Sequence, residues 1–237
     1  GTTLLNLYRT MRQELSAVPG VVTVSLSTRP LPMGGGTVGP VGVVGAVPLK
    51  PPQDMPPALQ DRARAAHATV GPAFFATMKI PVSGREFDDG DTEGRPKVAI
   101  VNRQFARQFG IENLVGRSLL VDKDQIEVVG VADDALVFDL KEETRAAVYF
   151  PYTQTERPPG SMVFELRTAR DPLALAVAAR EVVRRIDSRI AVYDVKSQAA
   201  HVDQAISAEI TLARLCGAFA VLALAIACVG LYGTVAF

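Results

Sequence analysis

The 23 C-terminal residues, Leu215 to Phe237, constrain the fold most, because none of them carries a charge. A helix needs about 20 apolar residues to cross the hydrocarbon core of a bilayer, so this length fits a membrane span. Arg214 precedes the run and Tyr232 lies near its far end, positions where polar-tipped side chains favour the membrane interface. A buried helix of a soluble core is the alternative, but such helices rarely stay charge-free for so long. The sequence therefore predicts a transmembrane helix over residues 215–237, which reaches the last residue and can be truncated there.

The segment just before this run favours a helical stalk. Residues 197–214 contain neither proline nor glycine, and Val202, Ile206 and Ile210 recur at the spacing of one helix face. A helix unbroken from Ser197 to the C-terminus is about 60 Å long at about 1.5 Å per residue. Such a stalk transmits movement between a domain and the bilayer. The alternative is a simple anchor with a flexible hinge near Gly217.

The preceding residues predict an α+β fold, because helical and strand-like patterns mix without strict alternation. Asn102, Asp171 and Ser197 are the expected helix N-caps. The loop at 33–60 is rich in proline and glycine, with one or two short strands expected around 41–47. Helices are predicted at 3–18, 72–78, 103–109 and from 172 through 186, and strands at 21–27, 62–70, 97–101, 118–121, 125–132, 147–152, 161–168 and 190–195.

Composition argues against several classes of function. Lys and Arg together number 25, as do Asp and Glu, so no net field favours nucleic acid. No phosphate-binding Gly-x-x-x-x-Gly-Lys-Ser/Thr motif occurs, and the Gly39, Gly42 and Gly45 spacing is attributed to turns. His67 and His201 match no metal-ligand spacing, and both cysteines lie in the apolar run. We therefore expect no catalytic residue, no metal site and no cofactor in this chain.

Two groups of carboxylates are the remaining candidates for chemistry. Residues 87–94 read FDDGDTEG, and Asp88, Asp89, Asp91 and Glu93 together have the oxygen ligands that calcium prefers. Their order differs from the EF-hand loop, so a solvated turn is the favoured interpretation. Asp133-Asp134 resembles a general acid/base pair, but adjacent residues of an extended chain point to opposite faces. The sequence predicts that this chain is not an enzyme.

The order of segments resembles the MacB-like periplasmic core domain of MacB/FtsX-type ABC transporter permeases, followed by the start of the next transmembrane helix. The closest likeness is to duplicated orphan permeases, which hold two such modules in one polypeptide. The resemblance covers most of the chain. It rests on PGVVTVSLSTRPLP (19–32), GREFDDGDTEGRPKVAIVNRQFARQF (84–109), VGRSLLVDKDQIEVVGVADDA (115–135), AVYFPYTQ (147–154), RDPLALAVAAREVVRRIDSRIAVYDVKS (170–197) and the apolar C-terminus.

The resemblance implies two subdomains: a porter-like α/β part from residues 1–70 and 159–200, and a mostly β, Sabre-like insert over 71–158. It implies residues 1–214 outside the bacterial inner membrane and further transmembrane helices beyond this segment. It also implies several partners, namely a cytoplasmic ABC ATPase domain or subunit, a second permease module in a dimer or pseudo-dimer, and a periplasmic adaptor or substrate protein.

Three functions follow from these observations. The first is an extracytoplasmic permease domain that couples ATP hydrolysis to export or mechanotransmission. The second is a membrane-tethered binding or sensor module without transport activity. The third is a membrane-anchored hydrolase that uses Asp133, Asp134 or the 88–93 cluster, which requires those carboxylates to meet in a pocket.

Overall fold

The computed structural model describes residues 2–30, 37–46, 63–135 and 144–235. Five α-helices and ten β-strands form over these residues, with single 3₁₀ turns at Tyr152–Gln154 and Pro172–Leu175. The helices are α1 (Thr2–Ser16), α2 (Phe74–Met78), α3 (Arg103–Phe109), α4 (Ala176–Ile186) and α5 (Gln198–Val235). The strands are β1 (Val21–Ser27), β2 (Thr37–Pro40), β3 (Gly42–Val43), β4 (Arg64–Val70), β5 (Val82–Gly84), β6 (Val98–Asn102), β7 (Ser118–Val121), β8 (Asp124–Ala132), β9 (Ala147–Pro151) and β10 (Val163–Thr168).

Local signals in the sequence placed most of these elements correctly. The Asn102 side chain accepts a hydrogen bond from the Phe105 backbone N–H at 3.0 Å, which is the predicted N-cap of α3. The Asp171 side chain likewise accepts from the Leu173 N–H at 3.0 Å, ahead of α4. The strand predicted at 190–195 is wrong, since this segment belongs to no strand. Of the predicted loop at 33–60, only residues 37–46 lie within the described part of the chain, and they include β2 and β3.

All ten strands form one mixed sheet, with the order β10-β1-β4-β9-β6-β8-β7-β3 and with β2 and β5 as side branches. The β4–β9 and β6–β8 pairs are parallel, and the other pairs are antiparallel. The β1–β10 pair joins strands that are more than a hundred residues apart in the sequence, over the register Val21↔Thr168 to Ser27↔Val163. Strand β1 meets β4 only at Ser27↔Val70. The sheet therefore consists of a two-strand end and a larger part that share a narrow connection.

The core is divided in the same way. Helices α1 and α4 cover one face of β1 and β10, where Leu15, Val18, Val24 and Val182 are buried together. The larger part has one cluster on each face, built around Phe74 and Phe75 on α2 and around Phe105 on α3. This mixed α+β sheet fold agrees with the predicted class.

Residues Lys196–Phe237 form a separate compact unit from Gly1–Val195. Helix α5 runs without a break from Gln198 to Val235, through Gly217. Its window Thr211–Cys228 has a mean hydropathy of 2.0 and none of it is buried. By length and composition, this helix is able to cross a membrane. The helix is continuous where the alternative interpretation placed a hinge.

Candidate functional site

The acidic turn, defined as residues 85–94, is held by contacts within the chain. The Asp91 side chain is only 8% exposed and binds the Arg85 guanidinium with both oxygens, at 2.8 and 2.7 Å. Burial opposes ionisation of Asp91, but the hydrogen bonds from Arg85 and from the Asp88 backbone outweigh it, so the pKa of Asp91 is lowered. This carboxylate is therefore ionised and paired at neutral pH.

The other carboxylates of the acidic turn are spread over different contacts. Asp88 Oδ1 accepts a hydrogen bond from the Gly90 N–H at 2.6 Å. Asp89 contacts Arg12 of α1 at 2.5 Å and is half exposed, and Glu93 is exposed. Among the described residues, no group of three His, Cys, Asp or Glu side chains is arranged to hold a metal ion. The geometry is that of a turn fastened to its neighbours.

The acidic turn is also tied to the segment that follows β9. Thr153 Oγ1 donates to the Asp91 carbonyl. Gln154 Nε2 donates to the Pro96 carbonyl at 2.9 Å, and its Oε1 accepts from the Val98 N–H at the same distance. These bonds fix the entry into β6. Most carboxylates of the acidic turn, which the sequence suggested as calcium ligands, therefore bind other groups of the protein.

Asp133 and Asp134 follow directly after β8, and both side chains bind residues of helix α3. Asp133 pairs with Arg103 at 2.7 Å. Asp134 accepts a hydrogen bond from the Gln104 N–H at 2.8 Å and pairs with Arg107. Carboxylates favour a helix N-terminus because its first N–H groups are unsatisfied. Each carboxylate is engaged by its own arginine, and the two do not form an acid/base pair around a shared proton.

The two histidines lie in different units. His67 on β4 packs edge-on against Phe150, with ring centroids 5.3 Å apart, and close against Gly39. Burial lowers the pKa of His67, while the charge of Asp122 opposes that shift. The backbone N–H of His201 bonds to the Ser197 carbonyl within the C-terminal unit. His67 is therefore a half-buried residue that is neutral at neutral pH.

Glu165 on β10 is the titratable residue that sequence reasoning missed. The Ser27 hydroxyl donates to its Oε1, whereas its Oε2 is enclosed and has no hydrogen-bond partner among the described residues. Burial raises the pKa of Glu165 to about 8, although the Ser27 hydrogen bond works in the opposite direction. The signal was present in the strand VFELRT, where alternation places Glu165 opposite the apolar Phe164 and Leu166. The alternation does not show that helix α2 covers the polar face of β10 as well. Arg167, on the same face as Glu165, donates a hydrogen bond to the Thr77 carbonyl of α2 at 2.7 Å.

Comparison with known proteins gives a consistent family. The model of the MacB-like periplasmic core domain matches residues 6–187. No curated protein matches the chain. The periplasmic region of MacB from Actinobacillus actinomycetemcomitans is similar in structure, with a TM-score of 0.50 and 16% sequence identity over 75% of this chain and 73% of that one.

Two further solved structures are more distant. A domain of a putative permease from Porphyromonas gingivalis has a TM-score of 0.46 and 16% identity over 75% of this chain and 76% of that one. The extracellular domain of the noncanonic ABC-type transporter YknZ from Gram-positive bacteria has a TM-score of 0.45 and 17% identity over 74% and 79%.

Proposed function

Because this chain belongs to the family of MacB-like periplasmic core domains, we propose that it couples ATP hydrolysis in the cytoplasm to export or mechanotransmission across the inner membrane. Residues 1–214 lie outside that membrane in this proposal, and α5 continues into the bilayer. The observation that carries the proposal is the family match over residues 6–187, followed after residues 188–197 by one continuous helix with an apolar window.

The site geometry supports a mechanical role over a catalytic one. Asp91 and Asp134 both have arginine partners, and Asp134 also caps a helix. The ATPase is assigned to a cytoplasmic domain or subunit outside these residues. A second permease module, and an adaptor or substrate protein on the periplasmic side, complete the proposed assembly.

We also propose the subdomain division implied by the family: a porter-like part from 1–70 and 159–200 and a Sabre-like part from 71–158. The narrow connection at Ser27↔Val70 supports a division of the sheet. Strand β4 pairs with β9 along the register Ala66↔Ala147 to Val70↔Pro151. On hydrogen bonding alone, β4 therefore groups with the larger part.

The test uses the full-length protein in its native membrane, with Cys216 and Cys228 replaced by alanine. One cysteine replaces Val202 on α5, and another is placed in the corresponding stalk of the second permease module. Crosslinking is compared with ATP, without ATP, and with a hydrolysis-deficient ATPase. In the control pair, Lys123→Cys on the β7–β8 turn takes the place of the cysteine at Val202. This pair measures the crosslinking that random collision produces.

Nucleotide-dependent crosslinking at Val202, with an unchanged control pair, is the expected result. Equal crosslinking in all three states contradicts ATP coupling. It would instead support a membrane-tethered binding or sensor module.

A further inference from the structure

Three enclosed hydrogen-bond donors without an acceptor lie on helix α1 and on the segment directly after β9. Among the described residues, Arg9 Nε, Arg12 Nε and Tyr152 Oη are enclosed by the protein and have no hydrogen-bond partner. The N–H of a guanidinium group can only donate, and a phenol hydroxyl can donate as well. Leaving such donors unpaired inside a protein costs free energy. The three donors therefore have the form of a site that lacks its acceptor.

The contacts of α1 bring these three groups to one place. Arg9 and Arg12 are three residues apart, so their side chains leave the same side of α1. The ring of Tyr8, next to Arg9 in the chain, packs edge-on against the ring of Tyr152, with centroids 6.2 Å apart. Burial raises the pKa of Tyr152, whereas the positive charges of Arg12 and Arg9 lower it. Both guanidinium groups therefore act on the Tyr152 hydroxyl.

This place has more positive than negative charge. Arg12 donates through Nη2 to both oxygens of Asp89, at 2.6 and 2.5 Å. Arg9 forms no hydrogen bond or ion pair with the residues that the structure describes. Asp89 is the carboxylate whose charge acts on Tyr152, where it raises the pKa together with burial. Two guanidinium groups and one carboxylate leave one positive charge unbalanced.

A carboxylate matches this unbalanced charge better than a phosphate group does. It carries a single negative charge, and its two oxygens fit the paired N–H groups of a guanidinium. A phosphate monoester carries about −1.5 to −2 at neutral pH, which would leave the site negative. The Arg12 side chain is 14% exposed and that of Asp89 is 51% exposed, so the site opens to solvent on the side of Asp89.

We propose that Arg9, Arg12 and the Tyr152 hydroxyl bind one carboxylate group from outside this chain, which belongs either to a small carboxylic acid or to an acidic side chain of a protein partner. Arg9 supplies the unpaired charge, Arg12 a second guanidinium group, and Tyr152 a neutral donor. Because Arg9 lies on α1 and Tyr152 directly follows β9, the bound carboxylate links α1 to the larger part of the sheet. The proposal does not depend on ATP coupling.

Protection of Arg9 from phenylglyoxal, a reagent that modifies guanidinium groups, tests this site in the full-length polypeptide in phosphatidylcholine nanodiscs. The probes are sodium acetate and the peptide acetyl-Gly-Gly-Glu-Gly-Gly-amide, each compared with sodium chloride at the same ionic strength. Mass spectrometry follows the modification of Arg9. At least one of the two probes is expected to slow it by about threefold or more. Arg184 is the internal control, because it is exposed and pairs with Glu181, and its modification should not change.

The two probes distinguish the sources of the carboxylate. Protection by acetate alone assigns the site to a small carboxylic acid, and protection by the peptide alone assigns it to an acidic side chain of a partner. Protection by both supports the proposal for either source. Stronger protection by inorganic phosphate than by both carboxylate probes overturns the proposal, as does equal protection by the same peptide with glutamine in place of glutamate.

Two tyrosine variants separate binding from folding. Tyr152→Phe removes a hydroxyl that has no partner to lose, so it is expected to raise the half-protecting concentration of the effective probe by about threefold or more. Tyr8→Phe is the matched control, because the Tyr8 hydroxyl already donates to the Pro159 carbonyl at 2.7 Å. It should leave the half-protecting concentration unchanged.

A carboxylate variant tests the charge balance of the site. Asp89→Asn removes the carboxylate that already holds Arg12 and should lower the half-protecting concentration. Glu93→Gln, exposed on the same acidic turn, should not change it. Absence of protection by both carboxylate probes, or equal protection of Arg184, overturns the proposal. So does a half-protecting concentration that neither Tyr152→Phe nor Asp89→Asn changes.

Discussion

The carboxyl group of Glu165 makes the stability of the domain depend on pH in an unusual direction. Its Oε2 is enclosed without a hydrogen-bond partner, and the pKa is raised to about 8 from 4.5. Between these two values the folded protein holds a proton that the unfolded chain releases. Stability from this group is therefore complete below pH 4.5 and is lost as the pH rises through 8.

The size of the effect follows from the two pKa values. In this window the free energy of unfolding falls by up to about 1.4 kcal/mol per pH unit. From pH 5 to pH 8 the loss amounts to about 3 kcal/mol, which is a large share of a typical domain stability of roughly 5–15 kcal/mol. Most of the change belongs to the native state, because an unfolded carboxyl group with a pKa of 4.5 is already mostly ionised at pH 5.

Glu165→Gln removes this proton linkage and keeps an acceptor for the Ser27 hydroxyl. Urea unfolding of the detergent-solubilised chain, followed by tyrosine fluorescence, is measured for both proteins at pH 5, 6, 7 and 8. Between pH 5 and pH 8, the free energy of unfolding of the variant is expected to rise by about 3 kcal/mol relative to that of wild type. Glu181→Gln is the matched control, because Glu181 is exposed and pairs with Arg184 on one helix. Parallel pH profiles for wild type and Glu165→Gln would refute the reasoning.

Three further predictions concern single residues and use the same unfolding assay. Asn102→Ala removes a buried cap that accepts two backbone hydrogen bonds and donates a third, so a loss of about 2–4 kcal/mol is expected, and a loss below about 0.5 kcal/mol contradicts this role. Gly84→Ala places a Cβ 2.5 Å from a backbone oxygen at φ +98°, so it should destabilise more than Gly94→Ala, which has open space at φ +85°; equal effects argue against the steric cause. Because the pKa of His67 is lowered, its contribution to stability is lost as the pH falls below about 6.5, and His67→Gln should reduce this acid sensitivity.

Short-range signals explain which parts of the fold were predictable from sequence. Asn102 followed by a helix, and Asp171 followed by Pro172, are patterns whose hydrogen bonds close within three residues, and both caps formed. The pairing of β1 with β10 joins residues more than a hundred positions apart. No local pattern determines which strand becomes a neighbour over such a separation, so the sheet order was beyond sequence reasoning.

The same limit explains the errors at single sites. Residues 190–195 have the composition of a strand, but a strand forms only when another strand supplies hydrogen bonds. The carboxylates at 88–91 were identified as a polar cluster, while their assignment to Arg85 and Arg12 depends on tertiary contacts. Glu165 sits in a strand whose alternation assigns it to a polar face, and only the packing of α2 shows that this face is covered.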